Sequence, residues 1–165
     1  MFDFKPDPAL GKGELYRQLC DAADALTRDE GDAVANMANV SALISEFVPD
    51  LNWSGFYRMG TSAKGDAELV LGPFVGRPAC IRIPLGVGVC GTAASKAATQ
   101  LVEDVHAFPG HIACDAASRS ELVVPVISDG AVVAVIDLDS PEPARFDAED
   151  ARGIEELAQI LADRI

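Results

Sequence analysis

The chain has 165 residues, with 13 basic and 26 acidic side chains for a net charge of −13, and that length suits one hydrophobic core, so residues 1–165 are expected to form a single domain. With 49% hydrophobic and 24% charged residues it is not a disordered acidic tail, and its longest apolar run, residues 131–136, falls far short of the about 20 residues that span a bilayer. A pI near 4.4 repels phosphate backbones and anionic lipid, which argues against nucleic acid and membrane partners; with no signal-peptide pattern at the start, a cytoplasmic location is expected.

Apolar residues recur from Leu15 at Leu19, Ala22 and Leu26, one face of an amphipathic helix. Thr27 and Glu30 have capping-box spacing and predict the start of a second helix. That helix carries Val34, Met37, Val40, Leu43, Ile44 and Phe47, and Pro49 ends it. Residues 53–59 and 67–74 read as strands joined by the polar loop 61–66, and residues 80–84 as a short third strand. The glycine-rich turn Gly86-Val87-Gly88-Val89-Cys90-Gly91 leads into a small-residue helix through Ala97. Residues 99–102 predict a strand, and residues 104–117 an irregular segment. The strongest strands are residues 121–127 and 131–139, joined at Asp129-Gly130, a pair suited to a tight type I′ hairpin. Asp147 predicts the cap of a last helix with inner face Ile154, Leu157, Leu161 and Ile165, and Phe146 is placed as a hydrophobic staple. The order predicts an α+β fold: an antiparallel sheet of about six strands with the N- and C-terminal helices packed on one face. Irregular segments would cover the other face, where a pocket can form.

The turn at residues 86–91 lacks the ending of a nucleotide loop and the spacing of a dinucleotide fingerprint, although a helix start of this kind can receive a small anion such as a carboxylate. Four cysteines, Cys20, Cys80, Cys90 and Cys114, are too few for a secreted disulfide scaffold of this length. Cys20 lies on the first helix and reads as packing. The other three share one stretch of chain with His106 and His111, which read as turn-stabilising residues as easily as proton donors, the plainer reading being preferred. Zinc is disfavoured, because there is no Cys-x-x-Cys and no ligand pair on adjacent helical turns. Cys114, in a polar irregular segment near a histidine and with a second cysteine on a flanking loop, fits an attacking and a resolving thiol better; ordinary half-buried thiols are the bland alternative. Strand alternation puts Asp137 and Asp139 on one face, away from Ile136 and Leu138, and Glu121 opens the neighbouring strand. Three carboxylates at one sheet end raise at least one pKa unless a cation neutralises them. Such a cluster is either a solvated strand end or a site that binds an ammonium group and supplies a protonated carboxyl.

Several linked motifs carry a resemblance over nearly the whole chain: Asn52-Trp53-Ser54-Gly55-Phe56-Tyr57, Ala79-Cys80-Ile81-Arg82-Ile83-Pro84, Gly88-Val89-Cys90-Gly91-Thr92-Ala93, Glu103-Asp104-Val105-His106, Gly110-His111-Ile112-Ala113-Cys114-Asp115, Ser120-Glu121, Asp137-Leu138-Asp139-Ser140 and Arg145-Phe146-Asp147. Together they resemble the free methionine-(R)-sulfoxide reductases, enzymes built on a GAF domain. The resemblance implies thiol-dependent reduction of free L-methionine-(R)-sulfoxide, with Cys114 attacking the sulfoxide to form a sulfenic acid. Cys80 would resolve it as a Cys80–Cys114 disulfide recycled by thioredoxin or a similar dithiol, and Cys90 would be a third cysteine able to join the exchange. It also makes Glu121 and Asp139 catalytic carboxyls, Asp137 the ammonium ligand, and Trp53 and Tyr57 aromatic walls. No cofactor or metal is implied, and a homodimer is left open. Two positions depart from the pattern: Val87 stands where a basic residue is expected, and Arg119 where a small amide is expected. The competing class is a non-enzymatic GAF module that binds a small ligand and signals, with a zinc-binding regulatory domain a weaker third.

Overall fold

A computed structural model describes residues 6, 9–110 and 116–165. Helices α1 (Lys12–Thr27) and α2 (Ala33–Phe47) precede strands β1 (Trp53–Thr61), β2 (Ala67–Gly76) and β3 (Arg82–Pro84). Helix α3 (Gly88–Lys96), strand β4 (Gln100–Val102) and a 3₁₀ turn at Val105–Ala107 follow; β5 (Ser120–Ser128), β6 (Ala131–Ser140) and α4 (Ala148–Leu161) complete the order. All strand pairs are antiparallel, in the order β3-β2-β1-β6-β5-β4. The expected α+β architecture is what forms, with one refinement: the face opposite the terminal helices is covered by helix α3 and not by irregular segments alone.

Period-2 alternation divides the strands between two cores. Phe56, Leu122, Val124, Val126, Ala134, Ile136 and Leu138 meet α1, α2 and α4. On the opposite face Trp53, Tyr57, Leu69, Val123 and Val135 pack with Val89, Cys90, Ala93 and Ala94 of α3. The Asp129-Gly130 turn has positive φ at both positions, 50° and 79°, as a type I′ turn requires. Asp147 caps α4 in a reciprocal capping box with Asp150, and Phe146 is buried in the helix-side core.

Two local expectations are corrected. Thr27 ends α1 instead of opening α2: its buried Oγ1 donates back to the Ala23 carbonyl at 2.8 Å. Asp32 takes the cap, accepting from Ala35 N at 2.8 Å. Val34 at the start of α2 is 54% exposed, outside the buried stripe.

Helices α1 and α4 are locked by a buried acid. Asp150 is fully buried, accepts from Tyr16 Oη and Lys12 Nζ at 2.8 Å each, and pairs with Arg145 Nη1 at 3.3 Å. The helices close until a Cβ on Gly153 would stand 2.2 Å from the Tyr16 ring. Gly153→Ala is therefore expected to cost about 1–3 kcal/mol, seen as a fall of roughly 3–9 °C in thermal unfolding. An unchanged Tm would show that ring and helix part without strain.

Candidate active site

The pocket face of the sheet is assembled by register. Trp53 on β1 pairs with Asp139 on β6, which pairs with Glu121 on β5. One step along, Gly55 pairs with Asp137, and Asp137 with Val123. Glu121, Asp137 and Asp139 thus come together as the alternation predicts. Helix α3 lies across this face and brings the Cys90 Sγ to 3.9 Å from Glu121 Oε1.

Burial sets the electrostatics. Asp137 is raised to about 7, first by loss of solvation, an effect that hydrogen bonds from Cys90 and Glu121 partly offset. Glu121 is pushed well above the usual carboxylate range, first by burial and then by the charges of Asp137 and Asp139. The Cys90 thiol is pushed up as well, by burial and by the same acids, so it remains a protonated thiol and a weak nucleophile. Asp137 Oδ1 is buried with no hydrogen-bond partner among the described residues. An unmatched acceptor of that kind calls for a donor.

A cleft opens beside it, lined by Trp53, Tyr57, Arg77, Pro78, Ala79, Asp137 and Asp139. Trp53 stacks on Tyr57 at 5.8 Å between ring centroids and on Phe74 at 5.2 Å, and its Nε1 donates to the Arg77 carbonyl at 3.1 Å. The site therefore has an acidic floor and an aromatic wall. Phe74, Arg77 and Pro78 carry no site signal in the sequence, and Ala79 enters there only as part of the Cys80 motif. They reach the site through the β1–β2 register and the turn beyond it, which no local pattern announces.

Cys80 is half-buried, follows Ala79 of the cleft lining, and packs against the pocket-side core. Cys90 is buried within α3. Cys20 is buried between α1 and α4, its Sγ 3.8 Å from the Gly153 carbonyl, as a packing residue. Cys114 and His111 lie outside the described residues. The chain is described again beyond them at Ser118, whose Oγ accepts from Asn52 Nδ2 at 3.0 Å, and at Arg119, whose N–H donates to the Ser140 carbonyl at 2.7 Å. Both contacts sit beside the strand ends that carry Trp53 and Asp139. His106 is exposed on the 3₁₀ turn, with its backbone N–H on Asp104 Oδ1.

Among the described residues one group has metal-ligand spacing: Cys90, Glu121 and Asp137 offer atoms within 4.8 Å of one another. Cysteine and histidine spacing did not reveal it, because two of its members are carboxylates. A cation there needs the Cys90 thiolate, and burial among acids disfavours that form. The trio is better suited to share protons and to meet an ammonium group. A larger cleft of about 340 Å³ lies elsewhere, between α4 and β5, and its lining holds no cysteine. No helix among the described residues is long and apolar enough to cross a membrane.

The pattern of the GAF domain family matches residues 13–165. The free methionine-R-sulfoxide reductase of Escherichia coli is 47% identical over 152 residues, covering 92% of this chain and 89% of that one. The Saccharomyces cerevisiae protein of the same name is 44% identical over 157 residues, covering 92% and 86%. The structure of free methionine-R-sulfoxide reductase from Neisseria meningitidis in complex with its substrate superposes with a TM-score of 0.91 at 46% identity, covering 99% of this chain and 95% of that one.

Proposed function

Because the chain belongs to the free methionine-R-sulfoxide reductase family of GAF domains, we propose that it reduces free L-methionine-(R)-sulfoxide to methionine with protein thiols as the electron source. The observation that carries this reading is the buried Asp137 Oδ1 at the cleft floor, without a hydrogen-bond partner among the described residues, within a cluster of three carboxyl groups and beside a stacked aromatic wall. A free amino acid brings the ammonium that such a site lacks; a residue inside a peptide does not.

The family resemblance supplies the role of Cys114, and the surroundings of the described residues support the others. The Cys114 thiolate attacks the sulfoxide sulfur while Glu121, held protonated by burial, hydrogen-bonds to and protonates the departing oxygen, with Asp139 adjoining. The protonated oxygen passes from the methionine sulfur to Cys114 Sγ as the transient sulfur–sulfur bond breaks, so methionine leaves and Cys114 remains as a sulfenic acid. The Cys80 thiol condenses with it, releasing water and forming the Cys80–Cys114 disulfide. An external dithiol such as thioredoxin returns both to thiols and becomes a disulfide itself. Asp137 takes the substrate ammonium, and Trp53 and Tyr57 wall the methyl-thioether end. With Val87 offering no side-chain cap to α3, the helix's first backbone N–H groups are the candidate site for the substrate carboxylate. Cys90 stays a thiol through the first step and joins only a later exchange.

The test is kcat/KM for three compounds: free L-methionine-(R)-sulfoxide, its (S)-epimer and the N-acetylated (R)-sulfoxide. N-acetylation removes the charge that Asp137 receives, and leaving a buried charge unmatched costs about 3–5 kcal/mol. The acetylated compound is therefore expected to be at least 100-fold poorer. Equal values for the free and acetylated compounds would remove the ammonium pocket from the reading.

A further inference from the structure

The acid that dominates this chain is absent from one continuous part of it. Residues 69–102 hold Arg77, Arg82 and Lys96 and no carboxylate, while the rest of the chain carries 10 basic and 26 acidic side chains. The stretch forms most of β2, all of β3 and α3, and β4, and Cys80 lies within it. At physiological ionic strength charges are screened beyond about 8 Å, so an approaching protein meets this local balance more than the net charge.

Around Cys80 the surface is open. Among the described residues β3 is the terminal strand of the sheet. Ile81, the residue after Cys80, is 69% exposed although its backbone is held in place, the carbonyl accepting from Leu71 N at 2.9 Å. Two residues on, Ile83 is buried, so the apolar side chain at 81 is left outside a core that its neighbour enters. Arg77 is exposed, and Arg82 is half-exposed while pairing with Glu68. A single exposed isoleucine is ordinary. This one follows a thiol at a sheet edge, with Arg77 four residues before it in the chain and Arg82, paired with Glu68, next to it.

We propose that Arg77, Ile81 and Arg82 dock an acidic protein dithiol of the thioredoxin kind, with an apolar rim around its own cysteines. The inference rests on the reading of Cys80 as the resolving thiol. A donor thiolate attacks Cys80 Sγ, a donor–Cys80 disulfide forms, and the Cys114 thiolate leaves. The second donor thiol then displaces Cys80, so two electrons pass from the donor, which ends as its own disulfide. Apolar contact supplies attraction, and the arginines favour an anionic partner over others.

The experiment measures steady turnover of free methionine-(R)-sulfoxide with two donors, an acidic bacterial thioredoxin (with its reductase and NADPH) and dithiothreitol. Ile81→Glu is expected to raise the KM for thioredoxin at least tenfold while turnover on dithiothreitol stays within twofold. Ile81→Leu should match the unaltered protein. Arg82→Gln is expected to raise the KM for thioredoxin three- to fivefold and to flatten its rise with added salt. Equal losses with both donors, or no loss with thioredoxin, overturn the docking surface. If the unaltered protein turns over with dithiothreitol and ignores thioredoxin, the reductase reading stands and the docking proposal falls. Failure with both donors overturns the two together.

Discussion

Cys114→Ser is expected to abolish methionine formation, by more than 1,000-fold, while leaving the far-ultraviolet circular dichroism and the thermal unfolding of the protein intact. The physical reason is the state of the attacking atom. A cysteine with a pKa near 8.5 supplies some thiolate at neutral pH, and a serine hydroxyl supplies essentially no alkoxide. The carboxyl cluster can still polarise the sulfoxide oxygen in the variant, but nothing is left to accept that oxygen. Quantifying methionine released from the free (R)-sulfoxide decides the matter. Retention of even a tenth of the activity would move the nucleophile to another cysteine, and Cys80 is the better remaining candidate, since Cys90 is buried as a neutral thiol among acids.

Asp137→Asn is expected to act on binding and on stability in opposite directions. Losing the charge that meets the ammonium should raise the KM for methionine sulfoxide about 100-fold, with a smaller fall in kcat. Stability follows from linkage. The folded protein holds a proton on Asp137 up to about pH 7, whereas the unfolded chain gives it up near pH 4. Below pH 4 both states are protonated, and any stabilisation from the neutral acid is present in full. As the pH rises from 4 towards 7 the unfolded chain ionises first, and stability is lost, on the order of a few kcal/mol in all. An asparagine does not ionise and escapes that loss. The variant should therefore unfold at a higher temperature than the unaltered protein at pH 8, with the gap narrowing as the pH falls and closing near pH 4. Thermal unfolding of the substrate-free proteins across this range is the measurement, and a gap independent of pH would show that Asp137 does not titrate there.

The site was legible where strand periodicity carried it. Asp137 and Asp139 had to share a face opposite Ile136 and Leu138, and Asp129-Gly130 had to turn the chain so that Glu121 met them, as the register shows. Thr27 was misread for a reason equally local. A threonine that ends one helix and a threonine that caps the next differ only in where Oγ1 turns, and here it turned back to Ala23. What could not be read was what distant segments do on meeting. The three-ring stack of Phe74, Trp53 and Tyr57, the Arg77 carbonyl on the indole, and the clasp of Asp150 by Tyr16, Lys12 and Arg145 all depend on contacts between elements. Cys90 was noticed for its neighbours in sequence, but its character comes from the burial that α3 imposes.

The hairpin of β5 and β6 carries both the acids of the cleft and the leucine and isoleucine floor of the helix layer, on alternate residues of the same strands. A single residue gained or lost between Ala131 and Asp137 would exchange the two sets, sending carboxylates against α4 and Leu138 into the cleft. Substitution can tune this enzyme family one position at a time, but length cannot vary there without forfeiting fold and chemistry together. The freedom to grow lies at the loop of residues 61–66, an exposed turn closed by Ser62 N–H on the Asp66 carbonyl at the far end of β1 from Trp53. Over evolutionary time the chain's insertions and deletions should collect in that loop, while β6 keeps its count.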